Sequence, residues 1–174
     1  MARRKRRADT QQVEILGRNR LINELISADL EVALPLRDRG VDLIAYADLG
    51  SQTAAFAGCP IQLKASSERY FGVHRKYAKF ANIILAYVWG LGRLEQAATY
   101  ALTFPEAVAV ARRMRWTRTN SWKKEGYSTS DPSARLLELL ESYRMSADRW
   151  RAKILQMQRI NFRNSGRTAR SGRQ

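Results

Sequence analysis

Asp42, Gln62 and Lys64 are the residues of this chain whose types and spacing could do chemistry. Gly40-Val41-Asp42-Leu43-Ile44 sets a carboxylate among apolar neighbours, and Ile61-Gln62-Leu63-Lys64 sets an amide and an ammonium two residues apart. Successive side chains of an extended strand go to opposite faces, so Gln62 and Lys64 share one face while Ile61 and Leu63 share the other. If the two segments pair, Asp42 joins that group. An acid, an amide carbonyl and a lysine converging at a sheet edge suit metal-assisted phosphodiester hydrolysis. Taken singly, Asp42 reads as a turn-side acid paired with Arg39, and Lys64 as a solvated lysine at a strand end.

Those residues need elements to hold them. Val13, Ile15, Leu16, Leu21, Ile22, Leu25 and Ile26 recur at helical spacing, which predicts an amphipathic helix from about Thr10, read as its cap, to Ala28. Leu30 to Leu34 is a short strand pattern stopped by Pro35, and Asp38-Arg39-Gly40 is a turn. Val41 to Ala47 reads as a second strand, Gly50-Ser51-Gln52-Thr53 as a turn, and Pro60 to Ala65 as a third strand. Ser66 to Ala81 is mixed and basic, with a helix expected from about Arg75. Asn82 to Trp89 is the most apolar run, with the length of a buried strand, and Ala97 to Phe104 is a further strand. Pro105-Glu106 opens a helix ending in Arg112, Arg113 and Arg115. Trp116 to Asp131 reads as a loop, Ser130-Asp131-Pro132 opens another helix, and a last helix is expected over about Ala147 to Phe162.

This order describes an α/β fold with a mixed central β-sheet flanked by helices. The division expected is a basic flexible arm over 1–9, an α/β core over 10–115, a loop and helical extension packed on the core over 116–162, and a disordered basic tail over 163–174.

The 174 residues carry a net charge of +15 and 45% hydrophobic content, enough for one domain with a real core. So large a positive excess favours an acidic partner, of which nucleic acid leads. No segment approaches the roughly 18 consecutive apolar residues of a spanning helix, so no membrane partner is expected. The basic start Arg3-Arg4-Lys5-Arg6-Arg7 lacks the apolar stretch of a signal peptide and reads as a DNA-facing arm. With Lys76, Lys79, Arg112, Arg113, Lys123 and Lys124 it makes a set of expected phosphate contacts. Cys59 is the single cysteine, which excludes an internal disulfide and a multi-thiolate zinc site, and a cytoplasmic, nucleoid-associated location is expected. His74 is the single histidine, with no Ser-Asp pattern nearby to make a triad, and reads as a surface or phosphate-contacting residue. Tyr70, Tyr77 and Phe80 read as packing residues ahead of base-stacking platforms.

Pro35-Leu36-Arg37-Asp38-Arg39-Gly40-Val41-Asp42-Leu43-Ile44 with Ile61-Gln62-Leu63-Lys64 resembles the PD-(D/E)xK nuclease superfamily, in its Holliday-junction resolvase-like and Mrr-like branch. The resemblance covers roughly Leu16 to Trp89 and implies a restriction-endonuclease-like αβββαβ core. In it Asp42 matches the acid of the second strand and Lys64 the lysine of the third. Gln62 stands where Glu or Asp is usual, as it does in Mrr-like members. The resemblance implies Mg²⁺ or Mn²⁺ held by Asp42, Gln62 and the Leu63 carbonyl, with Lys64 positioning water or offsetting charge on the phosphate. An acid on the first helix is often part of such sites. Arg18 occupies the nearest position here, and Glu24, closer to the first strand, ranks ahead of Glu14 as its substitute.

The function implied is a metal-dependent endonuclease acting on DNA as a homodimer. The alternatives are a catalytically inactive nucleic-acid-binding module of the same fold, silenced by Gln62, and a basic structural protein of a ribonucleoprotein or nucleoid.

Overall fold

The computed structural model describes residues 9–37, 39–47, 58–80 and 82–157. The arm residues Arg3, Arg4, Lys5, Arg6 and Arg7, the turn expected over Gly50 to Thr53, Asp38 and the tail lie outside the described residues, as does the end of the last expected helix.

Helix α1 runs over Thr10–Ile26, and its cap is Asp9, one residue before the one expected; the Asp9 carboxylate accepts from the Gln11 N–H. Its buried stripe is Gly17, Leu21 and Leu25, at the i, i+4, i+8 spacing of one helix face. Strands β1 (Glu31–Ala33), β2 (Leu43–Tyr46) and β3 (Cys59–Ala65) form an antiparallel meander. Both β1 and β2 are shorter than the sequence pattern suggests, so Asp42 falls immediately before β2 rather than inside it.

Between β3 and the next sheet strand the helix expected from Arg75 does not form. Residues Phe71–His74 are instead a strand, β4, and only a 3-10 turn follows over Arg75–Lys79. Strand β5 (Ile84–Trp89) then lies parallel to β3, and β6 (Ala98–Thr103) pairs antiparallel to β5, giving the sheet order β1-β2-β3-β5-β6.

Helix α2 (Phe104–Arg113) starts with a capping box, in which Thr103 accepts from the Glu106 N–H while the Glu106 carboxylate accepts from the Thr103 N–H. The stretch 116–131, expected as a loop, contains a 3-10 turn over Trp116–Arg118, a short helix α3 (Asn120–Lys124) and a strand β7 (Gly126–Thr129). β7 pairs antiparallel with β4 as a separate two-stranded ribbon. Helix α4 (Ala134–Glu141) is capped by Ser133, and a last helix, α5, occupies residues 147–157.

The sheet separates two cores. Leu21 and Leu25 of α1 pack with Leu43, Ile61, Leu63, Ile84, Ala86 and Val88 on one face, and Trp150 and Ile154 of α5 close that side. On the other face Leu85, Tyr87 and Trp89 pack with Phe71, Val73, Tyr77, Trp116, Leu136 and Leu140. Each fully buried Leu or Ile contributes about 1.5–3 kcal/mol, so these layers fix the sheet rigidly. The alternation expected for β3 is met: Ile61 and Leu63 join the α1 core, leaving Gln62 and Lys64 to the opposite face.

Gly17 sets how near α1 lies to the sheet. A Cβ there would stand 2.6 Å from the Ala65 Cβ, an approach that neither residue can relieve by rotating a side chain. Gly17→Ala is expected to lower unfolding free energy by about 1–3 kcal/mol through overpacking, despite about 1 kcal/mol of gained helix propensity. Urea unfolding monitored by circular dichroism measures this, and an unchanged or raised midpoint would contradict the close approach.

Candidate active-site cleft

A cleft of about 490 Å³ opens where the start of α1 meets the end of β3. Its walls are Thr10, Val13 and Glu14 from α1, Asp42 before β2, and the run Gln62 to Ser67 along and beyond β3. The three residues singled out by type and spacing therefore meet in one place. Gly40 turns the chain into this position with φ +93°, a left-handed value that suits glycine, and the Asp42 N–H then donates to the Ile61 carbonyl at 2.9 Å.

The Asp42 carboxylate is held from two sides. One of its oxygens, Oδ2, accepts from the Leu63 backbone N–H at 2.6 Å and from the Gln62 side-chain Nε2 at 2.5 Å. Gln62 is 9% exposed as a residue, and its amide oxygen accepts from the Tyr77 hydroxyl at 3.3 Å. Gln62 thus turns its nitrogen to Asp42, whereas the metal role expected for it needs the oxygen on that side. An amide rotated by half a turn exchanges the two ends, and a phenol hydroxyl both donates and accepts, so Tyr77 can satisfy either orientation.

Lys64 is half-buried, with its ammonium 5.4 Å from the centre of the Tyr77 ring, and Lys76 approaches the same ring at 5.2 Å. Among the described residues no salt bridge neutralises Lys64, so its charge is available to an anion in the cleft. His74, at the end of β4, titrates below its ordinary value, through burial first and then through the positive charges of Lys64 and Lys76, against a smaller opposing pull from Glu125. The imidazole is consequently neutral at neutral pH. The cations nearest the imidazole are Lys64 and Lys76.

Glu24, ranked first among acids of the first helix, is not at the cleft. Its carboxylate accepts from Thr99 Oγ1 at 2.8 Å and from Trp150 Nε1 at 3.1 Å, and pairs with Arg20 at 2.9 Å. These bonds tie α1 to β6 and α5, which is a structural role. Glu14, the residue ranked second, lines the cleft and pairs with Arg18 at 2.8 Å. The two glutamates are ten positions apart, which puts them about 15 Å from each other along the helix axis. Gly17 was the available signal: the helix comes nearest to β3 at the position without a side chain, three residues from Glu14.

The other expected cations lie outside the cleft lining. Lys76 and Lys79 are exposed on the 3-10 turn, with the Lys79 ammonium 5.1 Å over the Phe80 ring. Lys123 and Lys124 end α3, where the Lys123 carbonyl accepts from Arg75 at 2.8 Å, so α3 stands beside that turn. Arg112 and Arg113 are exposed at the end of α2.

Among the described residues no three His, Cys, Asp or Glu side chains gather as a self-sufficient metal cage. The cleft instead offers one or two carboxylates and a carbonyl, oxygen donors of the kind a hard cation uses when it keeps several waters and completes its shell on a substrate phosphate, and the Gln62 amide would join them only with its oxygen turned toward Asp42. Also among the described residues, no helix is long and apolar enough to cross a membrane.

The elements define an α/β protein with a mixed five-stranded sheet and a cleft at the end of its central strand, β3, rather than at a sheet edge. Beyond that class the comparisons add nothing: no family model, no curated protein and no solved structure matches the chain.

Proposed function

We propose that the protein is a Mg²⁺- or Mn²⁺-dependent endonuclease of the PD-(D/E)xK type acting on DNA. The observation that carries this reading is the meeting of Asp42, Gln62, Leu63 and Lys64 in one cleft with Glu14 opposite. The sheet supports it in part: the helix followed by an antiparallel three-strand meander and a further strand of the same sheet matches the order the resemblance implies, whereas β4 and a 3-10 turn stand where it implies a second helix.

Asp42, the Gln62 oxygen and the Leu63 carbonyl would hold the cation, with Glu14 taking the place that Glu24 cannot. When bound, the cation supplies Lewis-acid polarisation of the phosphate and an acidified water. Lys64 offsets negative charge that builds on the phosphate oxygens, and the Tyr77 ring beside it helps hold that ammonium in place. Lys76 and Lys79, with Arg112, Arg113, Lys123 and Lys124 beyond them, bind the flanking backbone without reading sequence. A homodimer supplies a second cleft for the second strand.

The test is plasmid nicking with Mg²⁺ and with Mn²⁺, comparing wild type with Asp42→Ala. Nicking by wild type that is lost in the variant is expected. Equal nicking by both would mean a contaminant and end the enzyme reading. DNA binding without cleavage in either would favour the second reading, a non-catalytic nucleic-acid-binding module. One observation favours that second reading: the Gln62 N–H already occupies the Asp42 carboxylate as an internal donor.

Both readings require a salt-sensitive DNA complex. Replacing Lys76 and Lys79 together with Ala is expected to reduce the slope of log K against log salt by about 2, since each neutralised phosphate contributes about 0.9. Fluorescence anisotropy on a labelled duplex between low and moderate salt measures it. An unchanged slope would remove these two lysines from the interface.

A further inference from the structure

We propose that Tyr77 is a positioning residue of the cleft, one that governs which end of the Gln62 amide faces Asp42. The inference rests on the metal-dependent reading above and concerns how a site with glutamine in place of a second acid can still accept a cation.

Tyr77 is 3% exposed and its hydroxyl donates to Gln62 Oε1, while Gln62 Nε2 donates to Asp42 Oδ2. Gln62 is itself almost fully buried, so an end of its amide left without a partner is costly. The amide has one donating and one accepting end, and a carboxylate such as Asp42 attracts the donating one. A cation at Asp42 requires the opposite. Gln62 can turn its oxygen inward only if something accepts from the nitrogen it turns outward. The Tyr77 hydroxyl lies where that acceptor is needed, and unlike most side chains it changes from donor to acceptor by rotating one O–H bond.

The two orientations are not equally dependent on Tyr77. Electron density drawn from an amide oxygen by a cation makes the amide N–H a stronger donor, so the bond to Tyr77 Oη strengthens when the cation is present. Loss of the hydroxyl should therefore weaken cation binding. With a glutamate substituted for Gln62 the sign differs. A carboxylate has two equivalent oxygens and needs no orienting, and Tyr77 then donates most strongly to it when no cation shares its charge. Loss of the hydroxyl in that background should leave cation binding unchanged or tighten it. A residue that merely packs would act in the same direction in both backgrounds.

Tyr77→Phe isolates the hydroxyl, because it keeps the ring beside the Lys64 and Lys76 ammonium groups. The experiment measures Mn²⁺ affinity of the full chain by electron paramagnetic resonance in wild type, Tyr77→Phe, Gln62→Glu and the double variant. The expected result is affinity about fivefold weaker for Tyr77→Phe in the otherwise wild-type protein, the value of one neutral hydrogen bond, with no weakening in the Gln62→Glu background. Equal weakening in both backgrounds, or none in the otherwise wild-type protein, would overturn the positioning role while leaving the metal reading in place. Absence of Mn²⁺ binding to both wild type and Gln62→Glu would overturn the two together. A second measurement needs no variant at position 77: in ¹⁵N-glutamine-labelled wild type, the Gln62 side-chain NH₂ resonances should shift on titration with Mg²⁺. Resonances that stay in place while Mg²⁺ binds would also overturn the inference.

Discussion

Lys64→Met is expected to bind DNA nearly as well as wild type and to nick it about 10²–10³-fold more slowly, the loss that follows removal of one preorganised charge-stabilising donor. Methionine keeps the length and apolar stem of lysine, so packing against Tyr77 survives and only the ammonium is lost. The split between binding and rate is the informative part. An ammonium that only contacted the ground-state backbone would weaken binding and cleavage together, whereas one directed at charge developing in the transition state changes rate alone. Single-turnover nicking, with anisotropy on the same duplex, separates the two. A rate within about threefold of wild type would place Lys64 outside the chemistry, since one lost donor should cost far more. Asp42→Asn belongs beside it, because that substitution removes the charge while keeping the shape on which Leu63 N–H and Gln62 Nε2 converge. A folded but inactive Asp42→Asn would show that the carboxylate acts on more than its own neighbours.

The part of this site that could be read from sequence is the part made by local alternation. β3 is seven residues long with Ile61 and Leu63 buried together, so period-two patterning determines the side to which Gln62 and Lys64 point. β5, buried at every position, is legible as a continuous apolar run. β4 and β7 are not. Each has four residues, β4 contains Gly72, and their partners lie some fifty positions apart, so neither carries a local signal that would distinguish it from a loop. The same long-range pairing explains the missing helix at Arg75: the chain is committed to the ribbon through His74, and the Arg75 N–H donates to the Glu125 carbonyl, leaving room for only a 3-10 turn. Tyr77 reads as a packing residue, which its burial bears out, but its hydroxyl contact with Gln62 depends on that turn and on nothing in its immediate sequence. Ranking Glu24 ahead of Glu14 fails for a related reason. It relies on proximity to the first strand along the chain, where proximity to the end of β3 in space decides.

Trp150→Ala should produce the largest loss of stability, about 3–5 kcal/mol, from a fully buried indole removed without a residue able to fill the space. Against a total of about 5–15 kcal/mol for a domain, that change would unfold a large fraction of molecules under mild denaturant. Trp150 seats α5 on the α1 side of the sheet and donates its indole N–H to Glu24, the carboxylate that also accepts from Thr99 and pairs with Arg20. A second tie holds α5 from the other direction, where Lys153 donates to Glu106 at 2.8 Å. Burial pushes the Glu106 pKa up, but the bonds from Lys153 and Thr103 outweigh it and hold the carboxyl below its ordinary value. Trp150→Phe tests the polar half of the first tie: it retains most of the apolar contact and deprives Glu24 of one donor, for an expected cost of about 1–3 kcal/mol. Glu24→Gln completes the comparison. A structural Glu24 makes this variant less stable yet equally active per folded molecule, measured by urea unfolding and by nicking well below the midpoint. A loss of nicking without a loss of stability would return Glu24 to the chemistry and contradict its distance from the cleft.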